Sequence, residues 1–195
     1  MAAHPEKLLF TPNASGRVRV CLAYPSSYEV AMGNLGFHAV FRTLATLPGI
    51  YCERVFLPEA GTPCRSFESG RGPADFDVLA FSLSFESDYP NIVRMLDAAG
   101  IPARARDRDR SSRAWPLLMA GGPATFLNPE PVAPFFDLFL IGEGEGMIPE
   151  AFDVDAWEGC DRANILDRLG RIEGAYRPDA YEPESNKWSI INAAF

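Results

Sequence analysis

Histidine and cysteine are scarce in this sequence, and their placement argues against most kinds of metal site. Two His and four Cys occur among the 195 residues. No Cys-x-x-Cys pair and no Cys-x-x-x-Cys-x-x-Cys run is present, so nothing local fixes the ligand geometry of a zinc or iron–sulfur site. We therefore expect isolated, buried cysteines and no metal-ligating residue.

The sequence also contains no recognisable set of catalytic residues. His4 falls in a Pro-containing N-terminal arm, and His38 lies beside Phe37 and Phe41 on a predicted helix, where a packing role is expected. No Ser–His–Asp order, no Gly-x-Gly-x-x-Gly and no Walker-type Gly-Lys-Ser/Thr motif occurs. We therefore predict no catalytic residue in this chain.

Excess positive charge and long apolar runs are also missing. The net charge of −8 argues against a nucleic-acid footprint, and the interleaved Arg and Asp of residues 104–113 indicate a solvated loop. No apolar run approaches the roughly 20 residues that span a bilayer, and the N-terminus lacks the pattern of a signal peptide. We expect a cytoplasmic protein that binds neither nucleic acid nor membrane.

Short apolar segments bounded by Gly and Pro alternate with helical patterns. This alternation predicts an α/β fold with a doubly wound, mostly parallel, five-stranded, flavodoxin-like sheet. The predicted strands cover 17–24, 51–57, 76–85, 115–120 and 136–141, and the predicted helices 35–47, 89–99, 147–152 and 162–169. Asn34 and Asp88 are the expected helix caps. We expect an N-terminal arm over 1–16, an α/β domain over 17–153 and a linker appendage over 154–195.

Four of the predicted strands end in glycine, serine or proline. Ligands of open α/β sheets bind at the carboxyl ends of the strands, where glycine lets the backbone approach closely. The predicted ligand-contacting residues are Tyr24, Pro25, Ser26, Ser82, Leu83, Ser84, Gly121, Gly122, Pro123, Gly142, Glu143 and Gly144.

Each of these features has a structural explanation that stays open. Paired glycines are common turn residues, and the hydroxyls of Ser82 and Ser84 could bond a neighbouring backbone carbonyl. Acids such as Glu143 and Glu145 more often lie at a helix N-terminus, where the helix dipole favours negative charge, than act as an acid–base pair. A contact surface for a following domain is a further alternative for these two residues.

These pieces resemble the N-terminal, cobalamin-binding-type, Rossmann-like domain of radical SAM proteins. The resemblance covers about residues 17–182 and rests on the order and spacing of segments 24–29, 34–37, 52–58, 75–84, 120–123, 128–131 and 137–145. It implies that the corrin and nucleotide tail of cobalamin lie at the carboxyl ends of the strands. Ser82-Leu83-Ser84 and Gly121-Gly122 would line the channel for the tail.

Two departures from the family pattern matter. No His lies in the loop over 25–36, so a bound cobalamin would take no His ligand from this chain. The three-cysteine motif of the radical SAM barrel is missing, so an iron–sulfur cluster and S-adenosylmethionine belong to a barrel domain outside this chain. We do not expect the chain to be catalytic alone, and its expected partner is that barrel, in cis or in trans.

Three functions remain open at this point. The first is a module that holds, or formerly held, a corrinoid near an iron–sulfur/SAM centre supplied elsewhere. The second is a ligand-free structural or partner-docking domain, which the missing His and a Pro-rich 128–134 loop that fills the crevice would favour. The third is a flavodoxin-like FMN binder or another small-molecule enzyme. For FMN, Ser26-Ser27 followed by Tyr28-Glu29 is a poor phosphate loop. Replacing Gly122 by Val is expected to abolish cobalamin binding and to spare the fold.

Overall fold

Six strands form one sheet in the computed structural model, which describes residues 6–180. They are β1 (Val18–Tyr24), β2 (Ile50–Phe56), β3 (Val78–Ser82), β4 (Leu117–Gly121), β5 (Leu138–Leu140) and β6 (Ala175–Tyr176). The order is β2-β1-β3-β4-β5-β6, with β6 antiparallel to β5 and all other pairs parallel. The first five strands follow the flavodoxin-like order, so the predicted doubly wound α/β class is confirmed.

The sheet has one strand more than the five predicted. β6 is only two residues long, and it pairs Phe139 with Tyr176 and Leu140 with Ala175. A two-residue strand carries no alternation that a sequence pattern can reveal. Trp157 and Leu169, also beyond residue 153, are buried in the core. The predicted boundary at residue 153 stays a prediction, and the end of the predicted linker lies outside the described residues.

Seven helices within residues 6–180 connect these strands. They are α1 (Tyr28–Met32), α2 (Leu35–Thr46), α3 (Tyr89–Ala98), α4 (Ala105–Asp109), α5 (Pro123–Leu127), α6 (Gly144–Ala151) and α7 (Arg162–Leu169). The predictions for α2, α3 and α7 are confirmed, and α6 begins three residues earlier than predicted. The short helices α1, α4 and α5 replace predicted loops, because five residues are too few for a periodic apolar pattern.

Two apolar layers cover the sheet. On the first face, the sheet packs against α2, α6 and α7 through residues such as Phe41 and Phe152. On the second face, it packs against α3, α5 and the 128–136 segment through residues such as Ile92 and Phe136. Side chains alternate between the faces along each strand, so Ala80 points to the first face and Leu79 to the second.

The capping predictions had different outcomes. The Asn34 side chain accepts the Phe37 N–H at 2.8 Å and caps α2, as predicted. Asp88 occupies the N-cap position of α3, as predicted, but its side chain makes no capping hydrogen bond to the helix. The preceding residues 86–88 form a 3-10 turn that leads directly into α3, so the chain has no extended residue at the capping position.

The solvated loop predicted over 104–113 is also corrected. Arg108 of α4 is buried and donates to the carbonyls of Pro102, Ala103 and Phe135, each at 2.9 Å. It also donates to Asp137 Oδ1 at 3.3 Å. A guanidinium group has five N–H donors, and these oxygens satisfy most of them inside the fold. One arginine of this charged segment is therefore buried, which the alternating charge pattern does not reveal.

Candidate functional site

A cavity of about 650 Å³ opens at the carboxyl ends of the parallel strands. Its floor consists of residues from β1, β3, β4 and β5, and its side walls come from α2 and α6 on the first face of the sheet. The strand order reverses between β1 and β3, and α2 and α3 consequently leave on opposite faces. The predicted crevice therefore exists, at the topological position where open α/β sheets bind ligands.

The walls of the cavity are largely apolar. Uncharged residues alone line it within the described part of the chain, among them Leu22, Val40, Leu44, Met119, Leu140, Ile148 and Phe152. Asn34, Ser82 and Ser84 contribute the polar side chains. Such a lining suits an uncharged, flat or aliphatic group, with a few hydrogen bonds near the mouth to orient it.

Asn34 connects the two loops that flank the topological switch. Besides capping α2, its amide Nδ2 donates to Ser84 Oγ at 3.0 Å and to the Tyr24 hydroxyl at 3.3 Å. The Ser84 hydroxyl therefore bonds a side chain. The structural explanation considered for it was a bond to a neighbouring backbone carbonyl. The capping signal identified Asn34 in the sequence, but its two cross-loop bonds depend on tertiary structure.

Seven of the twelve predicted contact residues line the cavity: Ser82, Ser84, Gly121, Gly122, Pro123, Gly142 and Gly144. The other five do not, for reasons that differ. Tyr24 is buried against Phe37, and Leu83 points to the second face. Pro25 accepts a hydrogen bond from Asn91, and Ser26 lies outside the lining.

Glu143 is the fifth residue outside the cavity. It is exposed at the N-terminal end of α6, and Glu145 lies in the first turn of that helix. Neither residue lines the cavity. The expectation that these acids lie at a helix N-terminus is confirmed.

The backbone conformation at residue 122 requires a glycine. Its φ is +115°, and a Cβ there would lie 2.6 Å from the Leu83 carbonyl oxygen. The atom in the way is main chain, so it cannot rotate aside. The expectation that Gly122→Val spares the fold is therefore wrong.

The expected plug of the crevice is not found. Val132 and Ala133 of the Pro-rich loop are buried on the second face of the sheet, away from the cavity. The 128–134 loop is also held there by Tyr89, whose hydroxyl donates to the Asn128 carbonyl at 2.9 Å. The cavity is therefore open at its mouth.

Burial and local contacts describe the environments of the four cysteines and of His38. Cys21, Cys52 and Cys64 are buried, and burial raises the pKa of the Cys64 thiol to about 12. Cys160 is exposed, which corrects the expectation of burial for all four. The Nε2 atom of His38 lies 3.0 Å from the Met32 carbonyl oxygen, as a packing role predicts. Within residues 6–180, no cluster of three metal-binding side chains is present.

Comparison with known proteins identifies the family. The sequence model described as the N-terminal region of radical SAM proteins matches residues 36–178. The chain belongs to this family. The matched region runs from the start of α2 to beyond β6, so this radical SAM N-terminal domain includes both cavity-wall helices and the short antiparallel strand.

A relative of this N-terminal domain is an uncharacterized protein of Methanocaldococcus jannaschii. It is 25% identical over 142 residues, which cover 70% of this chain and 28% of the relative. The chain thus spans little more than a quarter of the length of that relative. No solved structure matches the chain. None of the helices within residues 6–180 is long and apolar enough to cross a membrane.

Proposed function

We propose that this radical SAM N-terminal domain is a corrinoid-binding module. Its cavity would take the uncharged, aromatic dimethylbenzimidazole base of the cobalamin tail, and the corrin would lie over the glycine-rich mouth. The observation that carries this proposal is the open, apolar cavity at the strand ends. Its volume of about 650 Å³ falls within the range of roughly 300–1,000 Å³ that is typical of small-molecule pockets.

The residues at the mouth fit such a ligand. Gly121, Gly142 and Gly144 line the cavity, so that part of its mouth is formed by main chain without side chains. Ser82, beside them, offers a hydroxyl to an amide or ribose group. Residues 25–36 contain no His, so this chain would leave cobalt without a protein imidazole ligand.

The rest of the chemistry would come from outside this chain. A bound cobalamin supplies cobalt-centred alkyl transfer, and the iron–sulfur cluster and S-adenosylmethionine would be bound by a barrel domain in cis or in trans. The role of this domain would be to hold and orient the cofactor. The alternative is a ligand-free structural or docking domain, which the absent His favours and the open cavity disfavours.

The test is a visible-absorption titration of the purified chain with hydroxocobalamin and methylcobalamin, followed by gel filtration. We expect coloured protein with a base-off spectrum. Ser82 is half-buried and lines the cavity, so Ser82→Phe should fill it and weaken binding at least tenfold. Ser111→Phe, in an exposed segment, is the matched control and should bind as the wild type does.

Thermal unfolding of both variants verifies that each is folded. A colourless wild-type peak would contradict the corrinoid proposal and favour the docking alternative. Equal binding by Ser82→Phe and the control would place the cofactor elsewhere on the domain.

A further inference from the structure

The guanidinium of Arg54 is buried beside the N-terminal arm and binds a carboxylate of that arm. Arg54 lies on β2, the strand at one edge of the sheet, and its side chain is 2% exposed. Its Nη2 donates to Glu6 Oε2 at 2.6 Å and its Nη1 to Glu6 Oε1 at 3.1 Å. The Tyr28 hydroxyl donates to the same Oε1 atom at 2.7 Å. Both oxygens of Glu6 are therefore bound by one guanidinium fork, which is the geometry that recognises a carboxylate.

Aromatic rings hold these donors in position. The guanidinium carbon of Arg54 lies 4.6 Å from the ring centre of Phe41 and 5.0 Å from that of Phe67. The Tyr28 ring stacks on Phe67 at 5.2 Å and meets Phe56 edge-on at 5.4 Å. The rings restrict the rotation of both donor side chains, so the donors are preorganised for the carboxylate.

Arg54 keeps a counter-ion even without the arm. Glu68 accepts the Arg54 Nε–H at 2.7 Å and the Arg54 main-chain N–H at 2.7 Å. If the arm lifted, the buried guanidinium would therefore stay paired, and the large cost of an uncompensated buried charge would not arise. Its two Nη groups would then be able to bind another anion.

The described part of the arm, residues 6–16, is attached to the surface of the domain. None of these residues is buried. Phe10 packs edge-on against a ring of α2, and Asn13 Nδ2 donates to the carbonyls of Leu47 at 2.6 Å and Ile50 at 3.0 Å. Such an arm can detach without opening the core, because its own side chains do not form part of the core.

The anchors of the arm bear on one wall of the cavity. Tyr28 is the first residue of α1, and Gly33, which follows α1, lines the cavity. α2 supplies Val40 and Leu44 to the same wall. Phe41, the ring that packs against the guanidinium and the arm, lies between them in the sequence. The arm therefore braces the two helices that carry this wall.

We propose that Arg54 and Tyr28 form a carboxylate-binding site, that Glu6 is its tethered ligand, and that the arm is a releasable strap on the cavity wall. The fastened strap holds α1 and α2 in place. Its release loosens the wall and opens the guanidinium fork to a free carboxylate. This inference goes beyond the corrinoid proposal and does not depend on what the cavity binds.

The first test is rescue of the variant Glu6→Ala by acetate, followed by thermal unfolding in buffers of equal ionic strength. Loss of charge-assisted hydrogen bonds should lower the melting temperature of Glu6→Ala by roughly 3 °C or more. Acetate should restore at least half of this loss, whereas acetamide, which has the same shape and no charge, should not. Glu6→Gln fills the site with a neutral amide, so it should not respond to acetate. Glu59→Ala, which replaces an exposed acid, is the matched control and should not respond either.

Hydrogen–deuterium exchange then distinguishes the strap from the site. The Asn13 amide donates to the Ala45 carbonyl at 2.8 Å, so its exchange reports attachment of the arm. In Glu6→Ala, this amide and those of residues 31–34 should exchange at least about fivefold faster than in the wild type. Acetate should slow the exchange of residues 31–34 but not that of Asn13, because a free anion fills the site without tethering the arm.

Two results would overturn the inference. An unchanged melting temperature for Glu6→Ala, or an equal response of Glu6→Ala and Glu59→Ala to acetate, would refute the carboxylate site. Wild-type exchange of residues 31–34 in Glu6→Ala would refute the strap, because the arm would then not brace the wall. Both measurements are made without cobalamin, so neither result bears on the corrinoid proposal.

Discussion

Asp137 should be the most sensitive polar residue of the fold. It is 7% exposed and accepts three hydrogen bonds: from the Leu118 N–H at 2.7 Å, from Arg162 at 2.7 Å and from Arg108 at 3.3 Å. Asp137→Asn keeps the size of the side chain but removes its charge. The guanidinium of Arg108, 3% exposed, would then be buried without a counter-ion.

The magnitude follows from that burial. Removing one partner of a buried ion pair typically lowers stability by about 3–5 kcal/mol, because the remaining charge is uncompensated. For a domain of this size, each kcal/mol shifts the melting temperature by roughly 2–4 °C. We therefore expect Asp137→Asn to lower the melting temperature by roughly 6–20 °C.

The assay is urea and thermal unfolding followed by circular dichroism. Asp153→Asn is the matched control, since Asp153 is exposed and its carboxylate lies 3.6 Å from Arg168. Exposed pairs contribute about 0–1 kcal/mol, so this control should unfold nearly as the wild type does. If Asp137→Asn lost no more stability than Asp153→Asn, the ion pair between Arg108 and Asp137 would not stabilise the fold.

Three further predictions concern the backbone, pH and thiol chemistry. Gly122→Ala should lose roughly 1–3 kcal/mol or more of unfolding free energy in urea, because strain adds to the clash with Leu83; Gly61→Ala, also at positive φ but with no neighbour within 4 Å, should lose less. Burial raises the pKa of the Asp88 carboxyl, so its charged form disfavours folding. Asp88→Asn should then stabilise the protein at pH 7, with an advantage that shrinks as the pH falls toward 4; an equal advantage at both pH values would contradict this. Ellman's reagent should titrate Cys160 rapidly in the native protein and the other three thiols only after unfolding; rapid reaction of all four would contradict the burial.

The cavity also illustrates how local and tertiary information differ. Val40, Leu44 and Ile148 line it, but in the sequence they are ordinary apolar positions of amphipathic helices. Nothing in their spacing distinguishes a side chain that faces a cavity from one that faces the core. The glycine and serine residues at the strand ends were recognisable because they interrupt the apolar pattern.

Alternation and turn residues alone determined five parallel strands, the long helix α2 and its Asn34 cap, since these depend on neighbours a few residues apart. They also predicted a crevice at the strand ends, where the cavity lies. Only the tertiary structure decided that β6 joins the sheet, that Arg108 is buried, and that Leu83 and the 128–134 loop lie on the face away from the cavity. These outcomes depend on contacts between residues distant in sequence, which no local pattern encodes.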